Sequence, residues 1–183
     1  MANRFVATSV FGLLLATGWL LMPTCVSAFE EHTHVFKSVE DPTVEADLSV
    51  CAQASFTPNA VLSASFYAVQ GRSADGLIVN NSTKRIGWGT ACARITSLAV
   101  GATVPIIGDF NINKNKHLIG EGACVLASNN VPAAGLVLAG CTIPLDAGDG
   151  VLGGIATSNT VFNPFGLPGF DTGSVWTVHV FDQ

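Results

Sequence analysis

Histidine is the side chain best suited to acid–base and metal chemistry near neutral pH, and it occurs four times in this chain. Two of the four stand as a pair. His32 and His34 share a face if their segment is a strand, and with Glu30 and Glu31 beside them that face suits a divalent metal. The segment argues for something simpler. Phe29 to Asp47 carries six of the thirteen acidic residues, Pro42 interrupts it, and its apolar residues show little periodicity. The pattern predicts a solvated acidic N-terminal arm over residues 29–47, with hydrated imidazoles and no assigned metal or cofactor. His117 and His179 stand alone. No G-x-S-x-G, H-E-x-x-H or phosphate-binding loop accompanies either one, and nothing selects a Ser-His-Asp set from separated positions. His179 is out of phase with Trp176 and Val178, which predicts that it faces solvent or a groove.

One short motif carries a catalytic association. Phe170-Asp171-Thr172-Gly173-Ser174 resembles the active-site signature of aspartic proteases, which implies Asp171 as one of two carboxylates sharing a proton around a water. The resemblance covers these five residues. In that family core strands and a substrate-covering flap follow the motif, whereas ten residues follow Gly173 here and no second D-T-G or D-S-G occurs. The motif is read as a turn feeding the last strand, with no catalytic residue assigned. Tyr67, Trp88, Phe162 and Phe165 are of types that line ligand pockets, and such aromatics more commonly fill a core.

Those candidates must be positioned by a stapled scaffold. Arg4, the apolar run Val10–Met22 and the small residues Val26-Ser27-Ala28 read as a secretory signal peptide over residues 1–28. The apolar run is too short to span a bilayer. Its removal leaves 155 of the 183 residues, and four of the five cysteines. An even count in an exported chain predicts two disulfides, and no pair has the C-x-x-C spacing of redox or zinc motifs. The stretch His117–Pro144 holds two apolar runs around Asn129-Asn130-Val131-Pro132. A hairpin turning between Pro132 and Ala133 sets Cys124 directly opposite Cys141, close enough for a bridge. Cys51 and Cys92 then pair by elimination. With eight basic residues against thirteen acidic ones, the chain lacks the cationic surface that nucleic-acid binding needs. No second run is long enough to be a transmembrane helix.

Short alternating segments dominate the rest. Leu48–Ala52 is expected as a first strand. The run after Thr57-Pro58, with Leu62, Ala64, Phe66 and Ala68 on one side, is expected as another, although a helix capped by Thr57 shares part of its pattern. Gly76–Val79 and Arg85–Ile95 follow, the latter with Ile86, Trp88, Thr90 and Cys92 on one side. Pro105 predicts an edge strand at Thr103–Ile107, and Phe110 and Ile112 mark a further segment. Gly148-Asp149-Gly150 predicts a turn, and Ser174–Phe181 closes the chain with Trp176, Val178 and Val180 on one face. Little helix and no βαβ rhythm predict one all-β domain over residues 48–183: an antiparallel β-sandwich or, alternatively, a closed β-barrel, stapled by disulfides.

Asn80-Asn81-Ser82-Thr83 (two overlapping glycosylation sequons), Cys92, Cys124-Val-Leu and Cys141-Thr-Ile together resemble small exported bacterial β-sandwich proteins of undefined function. A second resemblance is to chaperone–usher fimbrial subunits, from the spacing of Cys51 and Cys92 and the aromatic-terminated last strand. It departs from them in the extra pair Cys124 and Cys141 and in the charge of residues 29–47, which does not suit an apolar donor strand. The expected function is therefore a non-catalytic exported protein, secreted or periplasmic, that engages a protein or cell-envelope surface. A pilin-like subunit is the second reading. The third is a small-molecule-binding barrel similar, in size and β content, to dirigent and allene-oxide-cyclase proteins. The hairpin is expected to be scaffold, with any site between Thr157 and Ser174.

Overall fold

The two apolar runs around Cys124 and Cys141 are long enough to extend as paired strands, and they do so with the two cysteines in direct register. In the computed structural model they are β5 (Lys116–Val131) and β6 (Leu136–Leu145), joined by the disulfide Cys124–Cys141. The described residues are 30–69, 84–113, 116–131, 136–148, 150–162 and 173–182. The segment expected as a signal peptide, the strand expected at Gly76–Val79, the sequons, Phe165 and Asp171 lie outside them.

Around this hairpin stand β1 (Glu30–Glu40), β2 (Ala60–Ala68), β3 (Arg85–Ala93), β4 (Thr103–Ile112), β7 (Val151–Phe162) and β8 (Gly173–Asp182). Each strand pairs antiparallel with its sequence neighbours, and β1 pairs with β8, so the sheet closes as an eight-stranded up-and-down barrel. Of the two expected architectures, the barrel is the one adopted. Closure removes the sheet edges that a sandwich would have to protect.

Closure depends on a segment expected to be free. Residues 30–40 are not a solvated arm: they are β1, with Phe36 opposite Trp176 on β8 and Phe36 opposite Ala68 on β2. Phe36 is fully buried, and burying a ring of that size stabilises by on the order of 2–3 kcal/mol. The charges of β1 sit on its solvent face and at its two ends, where they cost little.

Residues 41–59 then cross the outside of the barrel as a strap. Asp41 accepts a hydrogen bond from the Ser65 hydroxyl on β2 at 2.6 Å, and the Asp47 N–H donates to Thr90 Oγ1 on β3. Leu48–Ala52, expected as a strand, is instead a one-turn helix, α1 (Leu48–Ala52). Asp47 caps it by accepting from the Ser49 N–H, and Val50 is buried against Cys92 and Ile107. The disulfide Cys51–Cys92 fixes this turn to β3, and Ser55 binds Glu121 on β5 through its N–H and its hydroxyl. Both expected cysteine pairings are thus present.

The strand expected at Arg85–Ile95 presents its larger side outward. Trp88, Thr90 and Cys92 face the strap or solvent, Gly87, Gly89, Ala91 and Ala93 face the interior, and Ile86, at the irregular pairing with β2, packs against the barrel core. The cause is Phe66. A Cβ at Gly89 would stand 2.7 Å from Phe66 Cζ, so the ring lies where a side chain of β3 would be. Pro105, expected at an edge, lies within β4 beside β5, and its carbonyl accepts the Arg94 N–H. The turn expected before β7 is present: Gly150 has φ +82° and the Gly148 and Val151 main chains bond reciprocally.

Candidate functional site

The interior is layered along the barrel axis. At the end where β1 begins, the strands turn polar groups inward. His32 Nε2 lies 3.5 Å from Glu30 and 3.4 Å from Asp182, and Lys116 forms an ion pair with the same Asp182 carboxylate. His34 Nε2 and Asp182 Oδ1 are buried without a hydrogen-bond partner. Burial, Lys116 and His32 hold the His34 imidazole below its ordinary pKa, and the Lys116 hydrogen bond holds the Asp182 carboxyl below its own. His32 and His34 do occupy the i, i+2 positions of a strand. Among the described residues, however, no three metal-ligating side chains converge, and the ammonium of Lys116 occupies the charge centre instead.

Above this polar plug and a layer of Ile112, Leu118, Val178 and Val180, four aromatic rings close the middle of the barrel. Phe36 and Phe66 lie 4.6 Å apart, Phe66 and Phe110 6.1 Å, and Phe110 meets Trp176 edge-on at 5.1 Å. Offset and edge-to-face contacts at these spacings hold the rings in one arrangement. They form a floor.

Over that floor is a cavity of about 260 Å³ toward the end where β1 finishes and β2 starts. Its wall is mostly apolar: Leu62, Val104, Ile106, Leu126 and Ile143 are among the side chains that form it. Cys124 and Cys141 are on it too, so the bridge expected as pure scaffold is also lining. Glu40 stands at the rim.

One side of the wall is polar. Thr160 Oγ1 lies 2.8 Å from Ser158 Oγ and 2.7 Å from Ser174 Oγ, joining β7 to β8. Beside it the Trp176 indole N–H donates to Ser38 Oγ at 3.2 Å, and that hydroxyl donates to the Ser174 carbonyl. Ser38, Ser158, Thr160 and Ser174 are each 8% exposed. Buried hydroxyls must find partners, and here Ser158, Thr160 and Ser174 bond one another while Ser38 bonds the Trp176 indole and the Ser174 carbonyl, across three adjacent strands. Any site was expected in the loops between Thr157 and Ser174; residues 163–172 of that interval lie outside the described residues, and Thr160 and Ser174 lie on the strands that flank them. The missed signal was phase. Ser158 and Thr160 are in phase with buried Ala156, and Ser174 with Trp176 and Val178, so the hydroxyls occupy inward positions.

A second polar cluster lies outside the barrel under the strap. Asp109 accepts from the Thr90 N–H and from Asn111 Nδ2 at 2.6 Å, and His117 Nε2 is 3.5 Å away. Burial pushes the Asp109 carboxyl up despite these hydrogen bonds. Thr90 Oγ1 is buried and accepts the Asp47 N–H, so through Thr90, Asp109 and His117 this cluster ties β3, β4 and β5 to the strap. His179 is partly exposed on the outer face, 3.0 Å from Thr33 Oγ1 and 3.4 Å from Glu31, as its phase predicted. Trp88 is on the outer face and Tyr67 is half-buried.

No helix among the described residues is long and apolar enough to cross a membrane. On the outer face of the barrel polar side chains such as Glu31, Thr33, Lys37, Thr157 and Thr177 are interspersed with exposed apolar ones such as Val35, Ile155 and Phe181. The chain matches no family model, no curated protein and no solved structure.

Proposed function

We propose that this protein is an exported, secreted or periplasmic barrel that binds a small apolar molecule inside its wall. The cavity of about 260 Å³ carries the reading. It is close to the roughly 300 Å³ at which small-molecule sites begin, and it combines an apolar wall with a few convergent polar groups. A barrel serving only as scaffold would be expected to fill its interior at crystal-like density. Here β3 contributes Ala91 and Ala93 to the wall, and space is left above the aromatic floor. Two disulfides support an oxidising compartment, in keeping with the N-terminal signal pattern.

The pilin-like reading has less support. Strand donation needs an open groove, and here β1 already fills the position between β2 and β8. A surface-binding role draws on outward apolar side chains such as Val35, Ile155 and Phe181, which are scattered among polar ones. Cavity binding is tested by titrating the protein with 2-methylnaphthalene and following ligand fluorescence. Saturable one-to-one binding is expected, weakened at least roughly tenfold in Ala91→Phe, whose ring would occupy the space. Absence of saturable binding by apolar ligands of this size, in protein with both disulfides intact, would sink the proposal.

A further inference from the structure

Resting on that reading of the cavity, we infer that Thr160 and Ser174, the members of the hydroxyl row Ser158–Thr160–Ser174 that line the cavity, are an anchor for a neutral apolar ligand bearing a hydroxyl group. The row is the side of the wall where the barrel departs from its own rule. Across β2 to β6 the inward positions at this height are alanine, glycine, branched aliphatic or half-cystine, and a core of this kind would accept Val and Ala at 160 and 174 with little change of volume. Placing hydroxyls there costs desolvation, which their mutual bonds only offset.

Proton counting gives the polarity of the anchor. Cys141 Sγ is in a disulfide, so at 3.6 Å from Thr160 Oγ1 it can only accept. Three hydroxyls carry three protons and share two bonds among themselves, and each oxygen has two lone pairs. If Thr160 donates to the sulfur, Ser158 and Ser174 both donate to Thr160 and the Ser174 oxygen keeps acceptor capacity toward the cavity. If the chain runs the other way, Ser174 has a proton to give. A ligand hydroxyl, donor and acceptor at once, satisfies either arrangement. A carbonyl or an ether satisfies only one.

Charge and size restrict the ligand further. Among the described lining residues Glu40 is the ionisable side chain on this wall, since the Asp109 carboxylate is bonded to Thr90 and Asn111 outside under the strap, and no Lys, Arg or His is among them. A carboxylate or phosphate would enter past Glu40 and find no cation to pair with. A cation would lose its water for an apolar wall. At interior packing density the cavity holds about a dozen non-hydrogen atoms. The ligand class is therefore a neutral phenol or alcohol of that size, such as a two-ring phenol or a monocyclic alcohol.

The test compares 2-naphthol with its isostere 2-methylnaphthalene, by ligand fluorescence, on wild type, Thr160→Val and Thr160→Ser. A purely apolar cavity prefers the methyl compound, because it leaves water more readily. With the anchor, wild type binds 2-naphthol at least roughly tenfold more tightly than the methyl compound. Thr160→Val removes that preference and leaves 2-methylnaphthalene affinity within about threefold; Thr160→Ser keeps the preference. Wild type binding both equally, or favouring the methyl compound, overturns the anchor while leaving the cavity reading standing. Preference retained in Thr160→Val overturns it too. Binding of neither compound removes both.

Discussion

At the scale of single residues, His34 shows how the closed end of the barrel responds to acid. Its imidazole is buried, faces Lys116 and His32 from β5 and β1, and has Asp182 on β8 as its one nearby anion. The net effect lowers its pKa, so the folded protein holds it neutral while the unfolded chain takes up a proton at the ordinary histidine pKa. Stability from this group is present above about pH 6.5 and is lost as pH falls from there toward the depressed folded value. Asp182 loses its contribution only below the ordinary carboxylate range, because its folded pKa is lowered. Asp109 acts in the opposite sense: its pKa is raised, so the folded form gains relative stability as it protonates. Urea midpoints at about pH 7.5 and about pH 5.5 should therefore fall further in wild type than in His34→Gln. Equal falls in the two proteins would remove His34 from the account.

At the scale of elements, β3 gives up its inward side chains so that Phe66 can lie across it. A Cβ at Gly89 would meet the Asp109 carbonyl at 2.1 Å as well as the ring. Gly89→Ala is expected to destabilise by about 1–3 kcal/mol in urea unfolding, and a neutral result would show that β3 and Phe66 adjust freely. The two bridges should separate by function. In the chain-entropy model, with cysteines 41 and 17 residues apart, removal costs about 4 kcal/mol for Cys51–Cys92 and about 3 kcal/mol for Cys124–Cys141. Paired Cys→Ala substitutions should lower stability in both cases, yet only loss of Cys124–Cys141, which lines the cavity, should alter ligand affinity. Altered affinity on loss of Cys51–Cys92 would contradict the placement of that bridge on the strap. The hairpin of β5 and β6 was legible because what defines it is local, two apolar runs with Cys124 opposite Cys141, whereas the two register shifts between Leu126 and Val131 left no mark in the sequence pattern. α1 was not legible as helix, since a single turn has no periodicity to read and owes its form to the Asp47 cap and the Cys51 tether.

At the scale of the whole molecule, β1 decides between a barrel and an open sheet. Its inward residues include His32, His34 and Ser38 with Phe36 as the one large apolar group, so the period-two signal that marks β8 was masked by polar side chains. Closure was illegible for a further reason: the pairing of β1 with β8 joins opposite ends of the chain, and no local pattern encodes it. The cavity inherits that difficulty, because Ser38 on β1 meets Ser174 on β8 only after closure. A chain beginning at Asp41 would be harmless if residues 30–40 were an arm. The structure predicts instead that it exposes the edges of β2 and β8 and aggregates, or unfolds with a melting temperature lowered well beyond the few degrees expected for trimming a loop. A monomeric, cooperatively folding product would contradict the role given to β1.

The same closure sets a schedule for folding. In an up-and-down barrel seven of the eight pairings are between sequence neighbours, and the eighth, with Phe36 opposite Trp176, spans nearly the entire chain. Non-local contacts of that kind carry the greatest loop-closure cost and form late. During synthesis β1 emerges first among the strands, and it has to wait for β8, the last, with one edge unpaired throughout. Exposed strand edges invite pairing with other chains, and charged residues deter it. Glu30, Glu31, Lys37 and Glu40, which give β1 the look of a solvated arm, are of the charged type that deters such pairing. Pulsed hydrogen exchange during refolding should find the β1 amides protected after those of the β5–β6 hairpin.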